Sequence, residues 1–175
     1  NYSKPVILSK EYPYGVGTDE GRGMMQIVHD VAPGAELVFK SGFISAGNFA
    51  EGIKEMASND SCDIIVDDVT FITEPFFQDG IVSKAVDDVK DMGVSYFTSA
   101  GNFGSSSYTA EFNPITVNGI EGQVHDFSGT GDYLQKVSLQ KGSYTIVLQW
   151  EDSVYSLGQL PGSKNDFDIY IVNDD

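Results

Sequence analysis

Apolar positions in the first part of the chain recur mostly with the period of a helix. Met24, Ile27, Val28 and Val31 fall on one stripe at about 100° per residue, which predicts a helix across residues 18–32. Asp19 or Thr18 can cap it, and Pro33-Gly34 ends it. Glu36-Leu37-Val38-Phe39 is a short apolar run read as a strand. Asn48 can then cap a helix with Phe49, Ile53, Met56 and Ala57 on one side. Ile64–Val69 is the next strand. Ile81, Val82, Ala85, Val86 and Val89 keep helical period between Asp79 and Met92, Gly93 closes that helix, and Val94–Ser99 is a third strand. This βαβαβ order implies an α/β fold with a parallel sheet and flanking helices, and in such sheets ligands sit beyond the strand C-termini.

The period changes near residue 110. Tyr144, Ile146, Leu148 and Trp150 alternate with Thr145, Val147 and Gln149, and Val137-Ser138-Leu139 alternates too. Gln140-Lys141-Gly142-Ser143 between them reads as a hairpin turn, and Phe167, Ile169 and Ile171 form one face of a last strand. The expectation is a division into a partial α/β domain over 1–110 and a small antiparallel β-sandwich over 111–175, the second being a candidate insertion.

Composition narrows the partners. Ten basic residues against 26 acidic ones give a net charge of −16, which repels phosphate backbones and anionic membranes and argues against nucleic acid. No apolar run approaches the ~18 residues that would span a bilayer, so no membrane insertion is expected. Such a charge suits a soluble exported protein, or one that binds calcium. Cys62 is the one cysteine, which rules out an internal disulfide; it is read as a small buried residue before the Ile64-Ile65-Val66 run.

The candidate chemistry lies where polar residues interrupt this pattern. Glu20 heads the first apolar stripe and is either a structural acid favouring the helix N-terminus or a working one. Asp67 and Asp68 interrupt an apolar strand side by side, so they face opposite sides and only one can point into a site. Asn102 follows Gly101 in a strand-to-loop turn, where an asparagine tolerates left-handed backbone. His29 lies about 180° round the helix from Glu20, on the side of Arg22 and Gln26, and is read as solvated or packing. His125 has no metal-ligand partner at usual spacing. Asp166 and Asp168 share a strand face; turn and edge solvation is the preferred reading, with calcium the alternative and no EF-hand spacing to support it. Trp150 reads as core on the Tyr144/Ile146/Leu148 face, with stacking on carbohydrate as the minor alternative.

Three of these segments resemble the subtilisin/sedolisin superfamily of serine peptidases, in family order. The run from Glu20 to Ala32-Pro33 is similar to the helix carrying the catalytic base, with the glutamate twelve residues before the Ala-Pro pair as in sedolisins and a following glycine as in subtilisins. Val94-Ser95-Tyr96-Phe97-Thr98-Ser99-Ala100-Gly101-Asn102 resembles the subtilisin strand ending in Ala-Gly-Asn. Asp63–Thr70 occupies the slot of the strand whose edge binds substrate backbone. The resemblance implies Glu20 as general base, Asn102 as oxyanion donor, Asp68 as supporting acid or substrate-strand residue, and Val69 and Thr70 as contacts to a peptide or protein substrate. It implies no cofactor, calcium apart, and a secreted, periplasmic or cell-surface location. Residues 131–170 also resemble, more weakly, the β-sandwich modules of secreted bacterial proteases.

The chain departs from the pattern at several points. Met24 stands where sedolisins place the aspartate supporting their glutamate, and Asn102 where they use an aspartate. The Gly-Thr-Ser nucleophile motif followed by proline is missing, since Ser128-Gly129-Thr130-Gly131 has the wrong order, and no aspartate precedes Thr18. The chain therefore reads as an inactive fragment of a longer exported peptidase, with the partial subtilisin-like sheet exposing edges that invite self-association. The alternative is a non-catalytic surface or binding module, for protein or glycan, that retains the fold.

Overall fold

Ser45 opens a helix by accepting the Asn48 backbone N–H on its Oγ at 3.1 Å. It thereby takes the capping role expected of Asn48, which lies one turn inside. The computed structural model describes residues 4–15 and 17–173. In chain order the elements are β1 Ile7–Lys10, α1 Glu20–Val31, β2 Val38–Lys40, α2 Ala46–Ser58, β3 Ile64–Asp67, α3 Ile81–Asp91, β4 Ser95–Thr98, β5 Pro114–Ile115 and β6 Val124–His125. The fold is mixed α/β: among the described residues three α-helices alternate with small parallel strand pairs, and a small antiparallel pair follows.

The chain forms two compact units, one made of residues 1–101 with 147–175 and the other of 102–146. In the first unit β1 pairs with β2 and β3 with β4, both in parallel. The sequence implied one three-stranded sheet, whereas these strands form two separate pairs, and β2 spends its ladder on β1. Ile7 N–H donates to Leu37 O at 2.8 Å and Ser41 N–H to Lys10 O at 2.8 Å. β1 itself has no counterpart among the expected elements.

The core sits under one face of β3–β4. Ala50 and Ile53 of α2, Ile65 of β3, Ala85 and Val89 of α3, and Val94 are buried together. Cys62 packs against this cluster half-buried, as its sequence context suggested. Strand alternation explains why the other face is open: Ile65 is 3% exposed, its neighbours Ile64 and Val66 are 60% and 51% exposed.

Helix α1 turns a different side inward from the one its stripe suggested. Ile27 is 68% and Val31 83% exposed, while Met25 and His29 are half-buried. The reason is Gly21, where a Cβ would come within 2.7 Å of the Phe39 ring, so the helix seats on β2 along that line. Arg22, Met25, Gln26 and His29 consequently line a cavity of about 480 Å³ with Val6, Leu8 and Phe39 of the β1–β2 side.

The segments 137–139, 144–150 and 167–171, read as sandwich strands, form no ladder among the described residues. Their apolar side chains are largely open to solvent, with Ile146 46% and Ile171 80% exposed. Among the described residues, antiparallel pairing is confined to Pro114↔His125 and Ile115↔Val124.

Candidate functional site

The C-terminal rim of β3–β4 gathers two carboxylates and three hydroxyls. Register places Asp67 beside Thr98 and Ile65 beside Tyr96. Asp67 therefore shares the helix-covered face, and its Oδ2 accepts the Tyr96 hydroxyl while its Oδ1 accepts Thr98 Oγ1–H at 3.0 Å. The same Oδ1 accepts Val69 N–H at 3.0 Å, a turn that ends the strand. Asp68 projects separately and accepts the hydroxyl of Ser99. The two aspartates thus hold different partners, as adjacent strand residues must.

Burial pushes the Tyr96 phenol well above its ordinary range, and the hydrogen bond to Asp67 and that carboxylate's charge push the same way. Tyr96 and Thr98 were not singled out from sequence, and of the two adjacent aspartates the sequence favoured Asp68 rather than Asp67. The available signal was Tyr96 and Thr98 spaced by two on a strand whose partner carries the aspartate.

Glu20 is the first residue of α1, exposed, with Asp19 at the cap position and its carbonyl accepting Gly23 N–H at 2.9 Å. Gly21 after it serves close packing on Phe39. Glu20 opens α1 and Asp68 follows the end of β3, both in the first unit, and Asp68 accepts the Ser99 hydroxyl. Asn102 is the exposed first residue of the second unit, reached through Gly101 at φ 69°, where the left-handed backbone favours glycine. Val69 is half-buried with its N–H committed to Asp67, and Thr70 is exposed.

Other candidates resolve into local structure. Ser128 Oγ donates to Asp126 and accepts Thr130 N–H at 3.0 Å, a turn rather than a nucleophile. Burial would raise the Asp126 pKa, yet the N–H of Gly131, the hydroxyl and N–H of Ser128 and the N–H of Gly129 together hold it below the usual carboxylate value. His125 accepts Asn113 N–H on Nδ1 at 3.1 Å, so its Nε2 carries the proton that faces the Tyr108 hydroxyl at 3.0 Å. It sits among Tyr108, Phe112 and Phe127. Burial raises the Cys62 thiol pKa, and the charges of Asp60 and Asp63 add to that, leaving it a poor nucleophile. Trp150 Nε1–H donates to Ser163 Oγ at 3.3 Å and the ring meets Phe167 edge-on at 5.3 Å. Tyr170 OH donates to Asp168 at 3.4 Å. Among the described residues no cluster of three His, Cys, Asp or Glu could hold a metal ion, and no helix is long and apolar enough to cross a membrane.

Chemically, the rim is a set of carboxylates and hydroxyls that bond one another across the strand pair. No family model, curated protein or solved structure matches the chain.

Proposed function

We propose that this chain is part of an exported subtilase-like serine peptidase with a glutamate in place of the usual histidine base. The observation that carries the reading is the in-register parallel pairing of β3 with β4, which sets Asp67 beside Thr98, with Asp68 bonded to Ser99 just beyond, on the stretch that continues into Ala100-Gly101-Asn102. Glu20 would act as general base, Asn102 as donor to the developing oxyanion, and Asp68 as supporting acid or substrate-strand residue. The serine nucleophile would come from outside these residues, so the chain alone is inactive. The finer architecture, a partial subtilisin-like sheet followed by a β-sandwich module, rests on motif order and on the alternation at 137–150 and 167–171.

The test is fluorophosphonate labelling of the full-length protein beside its Glu20→Gln variant, checked for folding. Labelling that falls in the variant supports the reading. Labelling unaffected by the change demotes Glu20 to a helix-terminal acid, and none from acidic to neutral pH overturns the peptidase.

One observation favours a second reading, a non-catalytic module binding protein or glycan. The Val69 N–H is already satisfied by Asp67, which removes one donor that a substrate strand would use. Retained peptide or glycan binding with no labelling would select it.

A further inference from the structure

The loop between β3 and α3 has few bonds of its own and borrows them from residues 147–159. Gln149 Nε2 donates to Ile72 O at 3.0 Å and to Glu74 O at 2.9 Å, while its Oε1 accepts Phe76 N–H at 3.0 Å. The chain turns at 71–74, where Glu74 N–H donates to Phe71 O at 3.0 Å, and bends beyond it, so one amide side chain ties together three main-chain groups of a turning loop. A second set of bonds lies beside it. Gln78 Nε2 donates to Asp152 O at 2.7 Å, its Oε1 accepts Gln159 Nε2–H at 2.8 Å, and Gln159 Oε1 accepts Val154 N–H at 2.7 Å.

Asp152 makes the other side of this clasp rigid. Its Oδ2 accepts Lys164 N–H at 2.8 Å and Asn165 N–H at 2.9 Å, and its Oδ1 accepts Ser153 N–H at 2.7 Å. Loop 71–79 is therefore held by a segment that is far away in sequence but pinned in its own geometry.

We infer that Gln149 is a positioning residue that fixes the main chain at 72–76 and, through it, presents Thr70, beyond the Val69 N–H that Asp67 holds, to a peptide. This rests on the peptidase reading for the identity of the ligand, whereas the clasp rests on the hydrogen bonds alone. Substitution Gln149→Glu keeps the length and the acceptor for Phe76 N–H. It removes both donors and sets a carboxylate oxygen against two carbonyls, which costs more than a deleted bond.

Hydrogen exchange on the 175-residue chain decides the clasp. Gln149→Glu should speed exchange of amides at 70–78 about tenfold while those of α2 and α3 stay protected, and Gln135→Glu, which carries the same charge change, should leave 70–78 unchanged. Unchanged exchange at 70–78 in Gln149→Glu overturns the inference. In the full-length protein a peptide substrate should show KM raised about tenfold with kcat held. A fall in kcat with KM unchanged overturns the link to substrate presentation. Absent fluorophosphonate labelling sinks the peptidase reading alone, and the exchange result still decides the clasp.

Discussion

Tyr96 donates a hydrogen bond from its hydroxyl to the Asp67 carboxylate across the β3–β4 pair, from two residues before the end of β4 to the last residue of β3. The bond ties the rim to the core, because Tyr96 packs against the buried cluster under α2 and α3. Its folded pKa is raised, first by burial and then by Asp67, so the folded state holds the phenol proton more tightly than the unfolded chain. The stabilisation is full below pH ~10 and is lost as pH rises beyond it. Ultraviolet titration of the native protein should therefore show one tyrosine that resists ionisation until the fold opens, and Tyr96→Phe should abolish that step. A variant with the same alkaline profile as wild type would contradict the assignment.

Gly80 precedes α3 where a side chain has no room. A Cβ there would lie 2.1 Å from Glu74 Oε2 and 2.8 Å from Pro75 Cδ. Glu74 Oε2 also accepts Val82 N–H at 3.0 Å and so satisfies one of the open donors at the helix start. Gly80→Ala should cost roughly 1–2 kcal/mol in denaturant unfolding, because the carboxylate must leave its cap for the methyl to fit. In Glu74→Ala the cap is already gone, so adding Gly80→Ala should cost less than in wild type. Strict additivity of the two would refute the coupling.

The helices were legible because their buried contacts are local. Ala85 and Val89 fall one turn apart, and both are buried as their period implied. What failed was anything set by distant partners. The outward turn of Ile27 and Val31 follows from Gly21 meeting Phe39, a contact that no property of the helix alone reveals. Ser45 and Asn48 are both able caps three residues apart, and only backbone geometry separates them. At the rim, Asp68 was visible as a charge interrupting an apolar strand. Asp67 is the better-connected of the two, but that depends on strand register, which fixes Tyr96 and Thr98 beside it. Alternation at 144–150 predicts extended backbone but cannot supply a partner strand, and Gln149 there bonds a loop instead.

Acid should weaken the clasp around Asp152 before it reaches the α2–α3 core. Backbone N–H bonds from Asn165, Ser153 and Lys164, with the Ser163 hydroxyl, hold this carboxyl well below its ordinary pKa. Its stabilisation is therefore present above pH ~4 and lost as pH falls through the folded value. Exchange protection at 152–165 should fall progressively below pH ~4 while Ile53 and Val89 remain protected. Asp152→Asn should flatten that dependence, and an unchanged acid limb would refute it.

Ile53 reports on the core itself, being 2% exposed and packed with Ile65 and Val89. Ile53→Ala removes buried methyl groups and leaves a cavity between two helices, at a cost of about 2–4 kcal/mol. Denaturant midpoints with an unchanged slope would give this figure directly. A loss under about 1 kcal/mol would mean that α2 and α3 close over the gap, and so that this core is looser than its burial indicates.

We predict that the isolated chain self-associates through its open apolar faces. Ile64 and Val66 of β3 lie on the same sheet face as Phe97, which is 58% exposed, and Ile27 and Val31 of α1 are likewise uncovered. Parallel pairs of this kind are ordinarily covered on both faces, so the open one favours contact with a second chain. The net charge of −16 opposes that contact, and salt screens it. Sedimentation should thus show association that grows with protein concentration and with added salt. Phe97→Ser combined with Val31→Lys should reduce it at every salt concentration. A clean monomer at high concentration and high salt would overturn the prediction, and association untouched by the double variant would move the interface to the strand edges.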